Sequence, residues 1–191
     1  MSFRIVVAGA STGGLAAMQT LLPRLPQDFT LPFVVVQHRG KESGSGLCDL
    51  LQRCSNLPVS EPEDKELIEG GHVYLAPCDY HLLVEKGSFA LSTESPVWFA
   101  RPSINVLFES AADAYGEDVI GVLLTGANAD GARGLAAIKA RGGMTIVEEP
   151  STAQAREMPD AALALIDVDR ILPLPEIAPF LYSLNRAVGR G

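Results

Sequence analysis

Apolar positions along this chain fall into two kinds of run. Residues 3–8, 31–37 (LPFVVVQ) and 118–124 (DVIGVLL) are nearly continuous, as in strands buried on both faces. Other stretches repeat apolar residues at three- and four-residue steps: Leu15, Met18, Leu21 and Leu22 after the first run, and Leu47, Leu50 and Leu51 within 43–54. The same logic predicts a helix from an N-cap at Ser103 to Tyr115, closed by Gly116, and another over 132–141, closed by Gly142-Gly143. It adds a strand over 144–148 and helices over 160–165 and 175–188. Segments 82–85 and 89–92, joined by Lys86-Gly87-Ser88, predict an antiparallel hairpin, and 72–77 a short strand before it. The acidic stretch 58–69 reads as irregular. Strands alternating with helices predict an α/β fold of three layers: a doubly wound, mostly parallel sheet with a local antiparallel addition at 72–92. With 191 residues and 47% hydrophobic positions, one compact domain over 1–191 is expected.

Composition narrows the classes of function. The net charge is −8 and the pI near 4.8, which argues against nucleic acid as a partner, because phosphate binding needs a basic face. No apolar run approaches the roughly 20 residues of a membrane span. The N-terminus enters a strand without the layout of a signal peptide. A cytoplasmic protein is expected. Cys48, Cys54 and Cys78 are an odd set without a C-x-x-C pair, so no disulfide framework is expected. His38, His72 and His81 lack ligand spacing with them, so neither metal nor cofactor is expected.

The first strand runs into Gly9-Ala10-Ser11-Thr12-Gly13, a G-x-S-x-G turn that opens a helix. Strand, tight turn with a central Ser, and helix is the setting of a nucleophile elbow. Glycines flank Ser11 where a Cβ would clash, and the amides that open the helix face whatever Ser11 attacks. The alternative is a phosphate-cradling turn in which Ser11 only caps the helix. Neither full nucleotide signature is present: position 11 is not Gly, and no Lys follows Gly13 or Gly14.

In open α/β sheets ligands sit beyond the carboxyl ends of the strands, at a switch in strand order. Ser11 follows the first strand, His38 the second, and Asp130 the strand over 118–124. A hydroxyl, an imidazole and a carboxylate thus meet at one sheet edge, where His38 would act as general base, Asp130 would orient it, and the Thr12 amide would donate to an oxyanion. Each has a plainer reading: a solvated loop histidine, and a turn or cap aspartate. His81 is a rival base, although it starts a hairpin strand away from the parallel-strand ends. Cys78 lies near it without an evident orienting group.

Five ordered blocks, GASTGG, VVVQH, GGHVYLAP with DYH close behind, RPSINVLF and GVLLTGANADGARGL, resemble the catalytic domain of CheB-type protein-glutamate methylesterases. The likeness runs from about residue 5 to 166. The resemblance puts the family's nucleophile on Ser11, its base on His38 and its Asp on Asp130. It implies hydrolysis of γ-glutamyl methyl esters on chemoreceptor helices, with release of methanol, and deamidation of glutamines in the same helices. The methylated receptor helices are the expected partner. A trans-acting regulator or an opposing methyltransferase is also expected, since no receiver domain precedes the first catalytic strand. An uncovered, constitutively competent cleft follows from that layout. The resemblance places the second oxyanion donor at the Ala127 amide, in a loop where Gly126-Ala127-Asn128-Ala129 departs from the family's usual Gly-Met-Gly. Arg101, before Pro102 and Ser103, is expected to border the substrate groove and anchor a carboxylate or carbonyl of the receptor. The competing reading is a catalytically idle phosphate- or partner-binding module on the same fold.

Overall fold

A computed structural model of the chain describes residues 3–39 and 46–188. Among the described residues are nine strands and six α-helices, which alternate except for four successive strands between α2 and α3. The first strand, β1 (Ile5–Ala10), leads through the Ser11 turn into α1 (Gly14–Leu21), and then comes β2 (Phe33–Gln37). Next are α2 (Gly46–Gln52), β3 (Val59–Ser60), β4 (Val73–Leu75) and the hairpin β5 (His81–Val84) and β6 (Phe89–Ser92). The second half holds α3 (Ile104–Tyr115), β7 (Val119–Leu123), α4 (Ala132–Ala140), β8 (Met144–Glu148), α5 (Glu157–Leu165), β9 (Arg170–Leu172) and α6 (Leu174–Val188).

Seven strands form one parallel sheet in the order β3-β4-β2-β1-β7-β8-β9. The chain builds outward from β1 on one side, then returns to pair β7 against its other edge. The switch in strand order therefore lies between β1 and β7. Alternation along the buried strands sorts side chains to two cores. Val6, Ala8, Phe33, Val35, Ile120 and Val122 pack on one face, with Met18, Leu21 and Leu181 from α1 and α6. Ile5, Val7, Val34 and Val36 pack on the other, with Phe108, Leu135 and Met158 from α3, α4 and α5. Strands covered on both faces need no polar positions, hence their continuous apolar runs.

Four expectations change. Val73–Leu75 does not belong to the antiparallel addition but pairs in parallel with β2, so only β5 and β6 form the separate antiparallel sheet. The acidic stretch is not wholly irregular: Val59 and Ser60 add an edge strand to β4. Arg170–Leu172 adds the opposite edge strand, which three partly or fully exposed residues do not signal by periodicity. Helix α5 begins three residues earlier than expected, where the Met158 amide donates to the Gly126 carbonyl at 2.9 Å. Pro159 is tolerated there because first-turn amides have no helical acceptor. The expected start of α2 at Ser43 lies outside the described residues.

Candidate active site

The turn after β1 is held from both neighbouring strands. The Ser11 amide donates to the Thr125 carbonyl beyond β7 at 2.9 Å, and the His38 amide donates to the Ala10 carbonyl at 2.9 Å. The glycines are needed for close approach. A Cβ on Gly9 would lie 2.2 Å from Ile104 Cγ2, and one on Gly14 1.9 Å from Gln37 Oε1. The left-handed residue of the turn is Gly13, at φ 83°, two positions past the serine. Ser11 itself is not among the positive-φ residues, so the turn lacks a strained nucleophile position. Gly126 closes against it from β7's loop: a Cβ there would sit 3.0 Å from Ser11 Cβ and 2.5 Å from Met158 Cε.

His38 and Asp130 are in contact although 92 residues separate them: His38 Nε2 lies 2.7 Å from Asp130 Oδ2. A carboxylate only accepts, so Nε2 carries the proton and the lone pair of a neutral ring sits on Nδ1. The Asn128 amide nitrogen lies 3.5 Å from Nδ1. Asp130 is fully buried. Its Oδ2 also accepts from the Ile104 amide at 2.7 Å, and its Oδ1 accepts from the Asn105 amide and the Ser103 hydroxyl, both at 3.0 Å. Burial pushes this carboxyl upward. The bonds from His38, Ile104 and Asn105 outweigh it and hold the group below the usual carboxylate range. The expected cap changes accordingly. Ser103 is at the N-cap position of α3 but makes no side-chain cap; Asp130, from another loop, caps the helix instead.

Ser11 and His38 share the wall of a cavity of about 450 Å³ with Arg101 and Asn128. Among the described residues, Ser11 and His38 make no hydrogen bond to each other. Over residues 6–181 the sequence matches the family model described as CheB methylesterase. The chain belongs to the CheB methylesterase family. It is 45% identical over 187 residues to a putative protein-glutamate methylesterase/protein-glutamine glutaminase of Leptospira interrogans, with 97% of each chain covered. It is 42% identical over 181 residues to protein-glutamate methylesterase/protein-glutamine glutaminase 1 of Carboxydothermus hydrogenoformans, covering 92% of this chain and 53% of that protein. The crystal structure of the Thermotoga maritima CheB methylesterase catalytic domain superposes with a TM-score of 0.91, at 35% identity over 96% of this chain and 100% of that one.

The other expected positions of this CheB-family chain are placed as follows. Thr12 and Ala127 are exposed, and neither amide donates to a backbone carbonyl among the described residues. Arg101 does line the cavity, but its guanidinium is committed to the protein. Nε and Nη2 donate to Asp79 Oδ1 at 3.1 and 2.7 Å, and Nη1 donates to the Thr93 and Glu94 carbonyls at 2.8 and 2.9 Å. His81 is buried, accepts from the Ser103 amide at 3.2 Å and lies 3.1 Å from the Ser95 carbonyl, so both ring nitrogens are engaged in holding loop to helix. Among the described residues, no group of three or more His, Cys, Asp or Glu is arranged to hold a metal ion.

Several residues around the site carry no pattern that sequence reading recognises. Thr125 is a hub: its hydroxyl donates to the Thr12 carbonyl at 2.8 Å and accepts from the Ala155 amide at 2.8 Å, while its amide donates to Glu148 Oε2 at 2.9 Å. Gln37 Nε2 donates to the Ser11 and His38 carbonyls, both at 2.9 Å. Asn105 Oδ1 accepts from the Gly131 and Gly134 amides at 3.0 and 2.8 Å, fixing the loop that carries Asp130 to α3. Arg39, half-buried with its side chain largely covered on the cavity wall next to His38, is ion-paired with Glu61 and donates to the Ala76 carbonyl at 3.0 Å. A polar residue at or just past the C-terminal end of a strand is the only sequence signal shared by Gln37, Thr125 and Glu148.

Proposed function

We propose that this chain is a serine hydrolase that removes methyl esters from glutamate side chains of bacterial chemoreceptors, with Ser11, His38 and Asp130 as its catalytic trio. The observation that carries the reading is the 2.7 Å contact of His38 with a fully buried Asp130, beside Ser11 at one cavity. A phosphate-binding or partner-binding module has no need of a serine hydroxyl at the same cavity as an imidazole oriented by a buried carboxylate. Ser11 Oγ attacks the ester carbonyl carbon while His38 Nδ1 takes its proton. Asp130 keeps the other proton on Nε2 and stabilises the imidazolium. The Thr12 and Ala127 amides, both without a backbone acceptor among the described residues, donate to the oxyanion. Collapse breaks the bond from carbon to methoxide, and His38 returns the proton so that methanol leaves. Water, deprotonated by His38, then attacks the acyl-Ser11 ester, and Ser11 departs with that proton, leaving a glutamic acid side chain that loses its remaining proton to solvent.

A glutamine side chain offers the same acyl carbon with an amide nitrogen to protonate, and the cited relatives carry glutaminase in their names. The same trio therefore serves deamidation in this reading. Arg101 contributes by position: it shapes the cavity wall while its donors stay on Asp79 and the 93–94 carbonyls. Both cores share one sheet, which supports reading 1–191 as one catalytic domain. No helix among the described residues is long and apolar enough to cross a membrane. The test is methanol release from methylated receptor. Ser11→Ala is expected to keep the fold and to lose several orders of magnitude in turnover, as removal of a triad nucleophile does. Near wild-type release by this variant would refute the mechanism.

A further inference from the structure

The rim of the cavity carries an aromatic pair that the fold does not use. Residues 97–100 form a tight turn closed by two backbone bonds, Val97 amide to Ala100 carbonyl at 3.0 Å and Ala100 amide to Val97 carbonyl at 2.9 Å. Its two central residues, Trp98 and Phe99, are both left-handed, at φ 50° and 63°. Asn and Gly are the usual occupants of such positions, because a bulky side chain is strained there. Neither aromatic gains burial in return: Trp98 is 54% exposed and Phe99 fully so. Both line the same cavity as Ser11 and His38. The loop leading to the turn is held in place. Arg101 donates to the Thr93 and Glu94 carbonyls, and His81 contacts the Ser95 carbonyl. Strained aromatics displayed on a braced turn break the local rules of sequence and structure, as residues kept for binding do.

We infer that the Trp98–Phe99 turn is a docking element that grips the polypeptide on either side of the glutamate methyl ester. This rests on the function proposed above and deepens it. A glutamate side chain is short, so its backbone must cross the cavity mouth for the ester to reach Ser11, and that path passes the turn. Charge favours an apolar grip. The chain carries −8, and the two arginines on the cavity wall, Arg39 and Arg101, are already paired with Glu61 and Asp79. A segment whose glutamates are methylated is neutral where it meets the turn. Hydrolysis restores a carboxylate beside an acidic protein, so the same contact favours release of product.

Trp98 is the only tryptophan of the chain and reports on the turn directly. In Ser11→Ala protein, a tryptophan-free, methylated receptor fragment is expected to blue-shift Trp98 emission saturably. Binding without a change in emission, or no binding, overturns the inference. The variant Trp98→Asn/Phe99→Gly removes both rings and suits the left-handed turn. It is expected to raise KM for methylated receptor on the order of tenfold more than KM for a small methyl ester, with kcat for receptor kept. A parallel rise for both substrates, or no rise, overturns it. Should the wild type release methanol from neither substrate, the proposed function itself has failed; normal release with a turn indifferent to receptor refutes this inference alone.

Discussion

Asp130 has four donors on two oxygens, and only one of them is His38. The other three belong to the first turn of α3 and the residue before it. An asparagine at this position keeps one acceptor oxygen and presents an amide to groups that also donate. Asp130→Asn is therefore expected to do two things. Turnover falls on the order of 10⁴-fold, as when the wrong imidazole tautomer is held. Stability falls by about 1–3 kcal/mol, the cost of leaving buried donors without an acceptor. Methanol-release kinetics and thermal unfolding check the two effects separately. An unfolding midpoint equal to wild type would show that the carboxylate does not hold α3. The sequence offers half of this picture: an Asp after a strand and before a Gly is readable. Its hold on Ser103, Ile104 and Asn105, 25–27 residues away, is a long-range pairing of side chain with backbone that no local pattern records.

Helices α3 and α4 meet backbone to backbone at Gly134, where a Cβ would lie 2.6 Å from Phe108 Cβ and 3.0 Å from Asn105 Cα. Alanine favours a helix interior over glycine by up to about 1 kcal/mol. Forcing the helices apart costs about 1–3 kcal/mol. Gly134→Ala is thus expected to lower the unfolding midpoint, against the propensity scale. It is also expected to lower turnover, because α3 presents the amides that hold Asp130. A midpoint raised by the substitution would show that the contact relaxes freely. Elements were legible where burial on both faces or a full amphipathic repeat leaves a long signature: β1, β2, β7, β8, α3 and α4 fall within a few residues of their expected ends. The edge strands Val59–Ser60 and Arg170–Leu172 were not. Two or three residues paired along one side carry too little periodicity, and their membership is decided by the neighbour they meet.

At the scale of the whole molecule, two buried carboxylates act on stability with opposite signs. Asp130 is held below its ordinary range, so its contribution is present above about pH 4 and is lost as pH falls through its folded value. Glu148 is pushed up by burial, against the pull of the Thr125 amide and Thr152 hydroxyl. Its ionised form is disfavoured in the fold, so a cost appears as pH rises above about 4 and persists at neutral pH. The unfolding midpoint of Glu148→Gln, relative to wild type, is expected to climb between about pH 4 and 7. Parallel midpoints across that window would contradict the sign. Ser11, His38 and Asp130 were readable as polar residues after buried strands. Thr125, Gln37 and Glu148, which brace that edge, have the same local look as any polar residue at the end of a strand. Only the strand order brings them under the turn.

The hairpin β5–β6 and the Trp98–Phe99 turn stand outside the hydrogen-bonded parallel ladder. Residues on the ladder are tied to register, since a one-residue slip exchanges the two cores. The ribbon is held by Leu82, Val84 and Phe89, buried in the core it shares with α3, whereas the exposed rings of Trp98 and Phe99 carry no such tie. Substitution at these two exposed aromatics leaves the strand ends, and with them Ser11, His38 and Asp130, where they are. In the proposed function the sheet therefore keeps the reaction constant, while the exposed turn is free to change which polypeptide is brought to it.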